Sequence, residues 1–163
     1  MLHVLKKIKK NIPKWARIMR VQREISSQDI VAGPKLGNLR QIVLDSMKKE
    51  RLRCKCIRCR EAGLANKESK IEDLKLNRED YDSSNGNEVF LSYDDPDDLI
   101  YGFLRLRKPS QYAHRKEVEN TCIVRELHVF GKSLKLGHRE KERIQHSGLG
   151  KNLMSEAEKI ARE

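Results

Sequence analysis

Three cysteines fall within six residues, Cys54, Cys56 and Cys59, in the arrangement C-x-C-x-x-C. Thiolates at this density suit Zn²⁺, whose structural sites are tetrahedral and sulfur-rich. Arg53, Lys55, Arg58 and Arg60 flank the cluster, and nearby cations favour the thiolate form. A closed structural site takes four ligands. The fourth is open: Cys122, a histidine or a residue outside this chain are the candidates, although Cys122 falls in a predicted strand where a core role suits it better. The alternative is three unligated thiols. The spacing is not the C-x₃-C-x₂-C expected of a cluster that reductively cleaves S-adenosylmethionine.

A second motif lies near the other end of the chain. Gln145, His146, Ser147, Gly148, Leu149 and Gly150 have the form Q-x-x-G-x-G. They lead into Leu153, Met154, Ala157 and Ile160 at helical spacing. The first N–H groups of a helix have no partner within it, and the helix dipole adds positive potential there. Glycines let the backbone approach a bulky anion closely, so the pattern suits a pyrophosphate. It is neither the G-x-x-x-x-G-K-[ST] of a P-loop nor the G-x-G-x-x-G of a dinucleotide fold. Taken alone, a plain helix cap explains it equally well.

Charge adds a third signal. The chain has 163 residues and a net charge of +11. Residues 1–61 hold 17 Lys/Arg against 5 Asp/Glu, a net of +12, and residues 62–163 hold 18 against 19. All the excess positive charge is therefore in the first segment, an electrostatic footprint for a polyanion such as nucleic acid. The alternative is a solvated basic segment packed on an acidic neighbour. No apolar run approaches the length of a membrane span. The first residues, MLHVLKKIKKNIPKW, lack the features of a secretory signal. The expectation is a cytoplasmic protein with no membrane association.

These residues need elements to position them. Residues 2–10 suit a short helix or a strap, interrupted by Pro13, and residues 14–23 alternate apolar and basic side chains as a strand or helical turn would. A helix is predicted from the N-cap Asn38 through Arg53, with Leu39, Ile42, Val43 and Met47 on one face. Residues 62–87 are polar and turn-rich, a predicted surface loop. EVFLSYDD and LIYGFLRLRKP form a predicted hairpin across a solvated acidic turn, Asp94, Asp95, Asp97 and Asp98, and TCIVRELHVFG a third strand. Arg105 and Arg107 either add to a nucleic-acid surface or face solvent. The domain reading is a basic, Cys-rich bridge over 1–61, the loop over 62–87, and an α+β core over 88–163.

The order of hairpin, strand, glycine turn and amphipathic helix resembles the GNAT acetyltransferase fold, whose motif A is R/Q-x-x-G-x-G/A. RCKCIRCRE, FLSYDDPDD, YGFLRLRKPS, IVRELHVFG and QHSGLGKNLMSEAEKIARE occur here in sequence. Together they resemble the acetyltransferase half of the Elongator catalytic-subunit family. IPKWARIMRVQREI and VAGPKLGNLRQIV resemble that family's bridge from its radical-SAM domain.

The resemblance implies acetyl-CoA-dependent acetyl transfer in 5-carboxymethyl-type modification of wobble uridine 34 of tRNA. Its rivals are a lysine acetyltransferase of histones or other proteins, and a non-catalytic tRNA-binding fragment needing another chain. It implies that Gln145, His146, Ser147, Gly148, Leu149, Gly150 and Lys151 line the pyrophosphate. Leu127, His128 and Val129 would pair their main chain with the pantetheine arm, as a strand adds to an edge. Cys54, Cys56 and Cys59 match zinc-binding cysteines. The tRNA surface would use Lys14, Arg17, Arg20, Arg23, Arg40, Lys48, Lys49 and Arg53. Glu126 is a candidate catalytic base, with a strand ion pair as the alternative. Relative to the family, the chain is expected to lack the radical-SAM domain, with its 4Fe-4S cluster and S-adenosylmethionine sites, and the last strands of the acetyltransferase fold. A separate radical-SAM chain or Elongator-like subunits are the expected partners.

Overall fold

The computed structural model describes residues 1–21, 26, 28–33, 35–65, 69–130 and 148–163. Among them no helix is long and apolar enough to cross a membrane. The chain forms two compact units, Met1–Arg60 and Glu61–Glu163.

The first unit contains α1 (Leu2–Asn11), α2 (Leu39–Lys49) and the short α3 (Ile57–Arg60). α1 ends just before Ile12, whose extended backbone precedes Pro13, as the residue before a proline favours. α2 begins after Asn38, although no described side chain caps it. It buries Leu39, Val43 and Met47 against Cys54 and Cys56, with Leu5, Ile12, Ile18 and Leu44 packed around them. Ile42, expected on that face, is outside this cluster.

The expected run of α2 to Arg53 is corrected: the helix stops at Lys49. Arg51 takes a left-handed φ of 57°. The Leu52 N–H donates to the Met47 carbonyl, and the Arg51 N–H to that of Lys48. This is the Schellman turn, usually closed by glycine, with an arginine in the glycine position. Residues 14–20 form neither a strand nor a helix.

The second unit is α+β. After α4 (Ala62–Ala65), four strands form an antiparallel sheet in the order β1-β2-β3-β4: β1 Lys75–Ser83, β2 Gly86–Asp94, β3 Ile100–Lys108 and β4 Ile123–Val129. α5 (Leu149–Ala161) lays Leu153, Ala157 and Ile160 on Val89, Leu91, Leu104 and Leu106. Cys122, one residue before β4 rather than in it, packs half-buried against this cluster.

The surface loop expected over 62–87 is corrected. Residues 75–83 are an edge strand whose nine residues all pair with β2. Its side chains are mostly polar and none is buried, so it carries no apolar alternation for a pattern to show. Its register is set by the turn at Ser84 and Asn85, both with positive φ. That geometry matches the twist of a two-residue hairpin.

The acidic turn is also corrected, because Asp94 and Asp95 are buried. Asp95 Oδ1 accepts the N–H groups of Asp97 and Leu99, both at 2.9 Å, and Oδ2 accepts the Ser69 hydroxyl at 2.7 Å. Asp95 therefore builds the β2–β3 turn by satisfying its backbone donors.

Candidate functional site

The end of β4 and the start of α5 meet. Gly148 precedes α5 with a left-handed φ of 81°, and its carbonyl accepts the Asn152 N–H at 2.9 Å. A Cβ on Gly150 would lie 3.5 Å from Val129 Cγ2, so the first turn of the helix stands against the last residue of the strand. Gly102 on β3 permits this approach. A Cβ there would meet the His128 carbonyl oxygen at 3.2 Å and Leu153 Cδ1 at 3.4 Å. Sequence reasoning missed Gly102; its signal was a lone glycine in the interior of a predicted strand, a mark of close backbone approach.

Leu127, His128 and Val129 are the last three residues of β4, and β4 is an edge of the described sheet. Its register with β3 pairs Leu127 with Leu104, His128 with Phe103 and Val129 with Gly102. The other long side of β4 has no paired strand among the described residues. The structure thus brings Leu127–Val129 together with Gly148, Leu149, Gly150 and Lys151. Gln145, His146, Ser147 and Arg23 lie outside the described residues.

A bulge between Arg105 and Leu106 shifts the β3–β4 register. As a result two consecutive β4 residues, Arg125 and Glu126, both reach partners along the side of the sheet that carries Glu88 and Arg105. Glu126 accepts a hydrogen bond from Arg105 Nε at 2.9 Å. The strand ion pair weighed against the base role is therefore present. Arg105 also donates to the Tyr81 hydroxyl and sits over the rings of Phe90 and Phe103.

Glu88 is 1% exposed and accepts from Arg107 at 3.0 Å and Arg125 at 2.6 Å. The Glu88 carboxylate raises the pKa of Arg125 above its usual value. Arg105 and Arg107 are thus held by side chains of the sheet rather than standing free for nucleic acid. The His128 ring packs on Phe103 and lies parallel to Phe130.

In the first unit, the sulfurs of Cys54, Cys56 and Cys59 all lie within 4.8 Å of one another, two of the residues being buried. Zn–S bonds of about 2.3 Å put tetrahedral sulfurs about 3.8 Å apart, so a small contraction would close the trio on an ion. Hydrogen bonds from Cys54 and Cys59 hold the Cys56 thiol far below its ordinary pKa. Hydrogen bonds with Cys54 and Cys56, with burial, push Cys59 far above its own. The cluster therefore favours a thiolate at Cys56. A buried lysine, Lys9, faces it, with Nζ at 3.7 Å from Cys54 Sγ and 3.9 Å from Cys59 Sγ.

Of the expected nucleic-acid residues, Arg20, Lys48, Lys49 and Arg53 are exposed, and Lys14, Arg17 and Arg40 are half-buried. Arg40 donates to the carbonyls of Ile18 at 2.6 Å and Met19 at 3.0 Å, so part of its capacity fixes the local backbone.

No protein-family model matches the chain. It is similar over 99% of its length to a tRNA uridine(34) acetyltransferase of Methanocaldococcus infernus, at 46% identity over 169 residues, and covers 32% of that protein. It is 44% identical over 158 residues to Elongator complex protein 3 of Saccharomyces cerevisiae, matching 93% of this chain and 28% of that protein. The chain thus spans about a third of the length of the curated relatives it matches. Among solved structures it is similar to archaeal Elp3 of Methanocaldococcus infernus with an N-terminal deletion (1–46). The TM-score is 0.86 and the identity 45%, covering 99% of this chain and 39% of that one.

Proposed function

We propose, from the premise that this chain is a homologue over 99% of its length of tRNA uridine(34) acetyltransferase and Elongator complex protein 3, that it provides the acetyl-CoA-binding and tRNA-facing part of a wobble-uridine modification enzyme. One observation carries the acetyl-CoA assignment: α5 begins at Gly148 directly beside the last residues of β4. An extended ligand rich in amides finds main-chain partners along the outer side of Leu127–Val129, as an added strand would. Its pyrophosphate then meets the first amides of α5, with Gly150 allowing close approach. The bound cofactor supplies the acetyl group; the chain holds and orients it. Gln145, His146 and Ser147 complete the phosphate loop in this reading.

The fold is read as GNAT, with β2–β4 and α5 as its described part. Cys54, Cys56 and Cys59 hold Zn²⁺, which supplies a crosslink beside the C-terminal end of α2. The exposed Arg20, Lys48, Lys49 and Arg53, with Lys14, Arg17 and Arg23 beside them in sequence, contact tRNA phosphates, so binding is salt-sensitive. Glu126 is read as the partner of Arg105, because its carboxylate already accepts the Arg105 Nε–H. A radical-SAM function and Elongator subunits would act alongside.

The test is acetyl-CoA turnover by this chain with and without tRNA. The reading expects turnover that rises with tRNA. Acetylation of basic peptides with no response to tRNA would favour the lysine acetyltransferase instead.

A further inference from the structure

The cysteine trio has a neighbour that its spacing does not announce. Leu5 and Ile12 of the α1 segment pack on the core of the first unit. Lys9 lies between them in helical spacing, four residues after Leu5 and three before Ile12, and so on the same face. A lysine on such a face normally extends its ammonium to water. Lys9 does not: it is 1% exposed. Its side-chain hydrogen bonds, among the described residues, go to the sulfurs of Cys54 at 3.7 Å and Cys59 at 3.9 Å.

A buried ammonium requires a compensating negative charge. A neutral thiol offers only a weak acceptor, whereas a thiolate offers a charge. Three thiolates on one divalent cation carry a single net negative charge, which one ammonium balances. An ammonium has no lone pair, so in this form it cannot ligate the ion. We infer that Lys9 is the counter-ion of the metal-bound cysteine trio: a positioning residue that donates N–H···S hydrogen bonds to Cys54 and Cys59 and strengthens Zn²⁺ retention from outside the coordination shell. This role rests on the reading that the trio holds zinc. It gives the one buried lysine of α1 a task that neither acetyl-CoA nor tRNA explains.

The test uses the full chain with Co²⁺ as a spectroscopic probe, and Zn²⁺ affinity measured by competition with a chromophoric chelator. Lys9→Met removes the charge at similar size, and Lys9→Arg keeps a charge. The unaltered chain is expected to show a thiolate-to-cobalt charge-transfer band. Lys9→Met is expected to bind one ion with the same d–d band positions but about 10- to 100-fold more weakly, the usual effect of losing an outer-shell partner. Lys9→Arg is expected to recover most of that loss.

Unchanged affinity in Lys9→Met overturns the inference. So does a shift of the d–d bands, which would make Lys9 a ligand. Should Lys9→Met fail to fold, Lys9→Arg decides: near-native affinity supports the counter-ion, and a loss as large as that of Cys54→Ser refutes it. No charge-transfer band in the unaltered chain removes the zinc reading itself, and the Lys9 role with it.

Discussion

Replacing Gly150 by alanine should separate folding from cofactor binding. The added Cβ would lie 3.5 Å from Val129 Cγ2, ordinary van der Waals contact, so the methyl fits without displacing the strand. Gly150 is in the first turn of α5. In a helix interior alanine is favoured over glycine by about 0.8–1 kcal/mol. In the first turn about half of that is expected, a rise in Tm of about 1–2 °C for a domain of this size. The same methyl stands on the side of α5 that faces the end of β4, where the pyrophosphate is to approach the backbone. Losing one charge-assisted hydrogen bond costs about 1.5–3 kcal/mol, equivalent to about 10- to 100-fold in Kd. Calorimetric titration with acetyl-CoA and thermal unfolding of the same preparation measure both effects. A Gly150→Ala chain that binds as tightly as its parent would refute the close approach of ligand to this backbone. A clear loss of stability would refute the packing argument instead.

Four further outcomes follow from the geometry. Glu88→Gln weakens two charge-assisted bonds and should cost about 1–2 kcal/mol. Arg107→Met should cost more than Arg125→Met in urea unfolding, because the Arg125 side chain is 52% exposed and water already screens its pair. Arg51→Gly should stabilise the chain by about 1 kcal/mol, since a φ of 57° strains any residue with a Cβ; an unchanged urea midpoint would contradict the Schellman turn. Lys48→Ala and Lys49→Ala, exposed in the last turn of α2, should each reduce the slope of log K against log salt for tRNA by about 1. Titration at several salt concentrations checks this, and unchanged slopes would place the RNA elsewhere.

β2 and β3 were legible because they run apolar and nearly unbroken in burial. EVFLSYDD lies within β2 save for its last residue, and LIYGFLRLRKP spans β3. The face of α5 was legible too, since Leu153, Ala157 and Ile160 recur at helical spacing and pack where that spacing puts them. β1 was not, because an edge strand of Lys75, Arg78, Glu79, Asp80 and Asp82 buries almost nothing on either face. Charged edges of this kind resist pairing with other chains, and that same chemistry hides them from pattern reading. The end of α2 was missed because arginine stands where glycine usually signals the turn. Lys9 was hidden by its type: lysines belong on the surface by default, and only its place between Leu5 and Ile12 hinted otherwise. Arg105, Arg107, Asp94 and Asp95 looked solvated for the same reason. Their partners lie on neighbouring strands or across a turn, where sequence spacing carries no information.

The assignment of acetyl-CoA to the junction of β4 and α5 is tested most directly by amide hydrogen exchange of this chain, with and without acetyl-CoA. The account predicts slowed exchange, on adding the cofactor, at Leu127–Val129 and at Leu149–Lys151. Slowed exchange confined to other segments, or none at saturating cofactor, would contradict it.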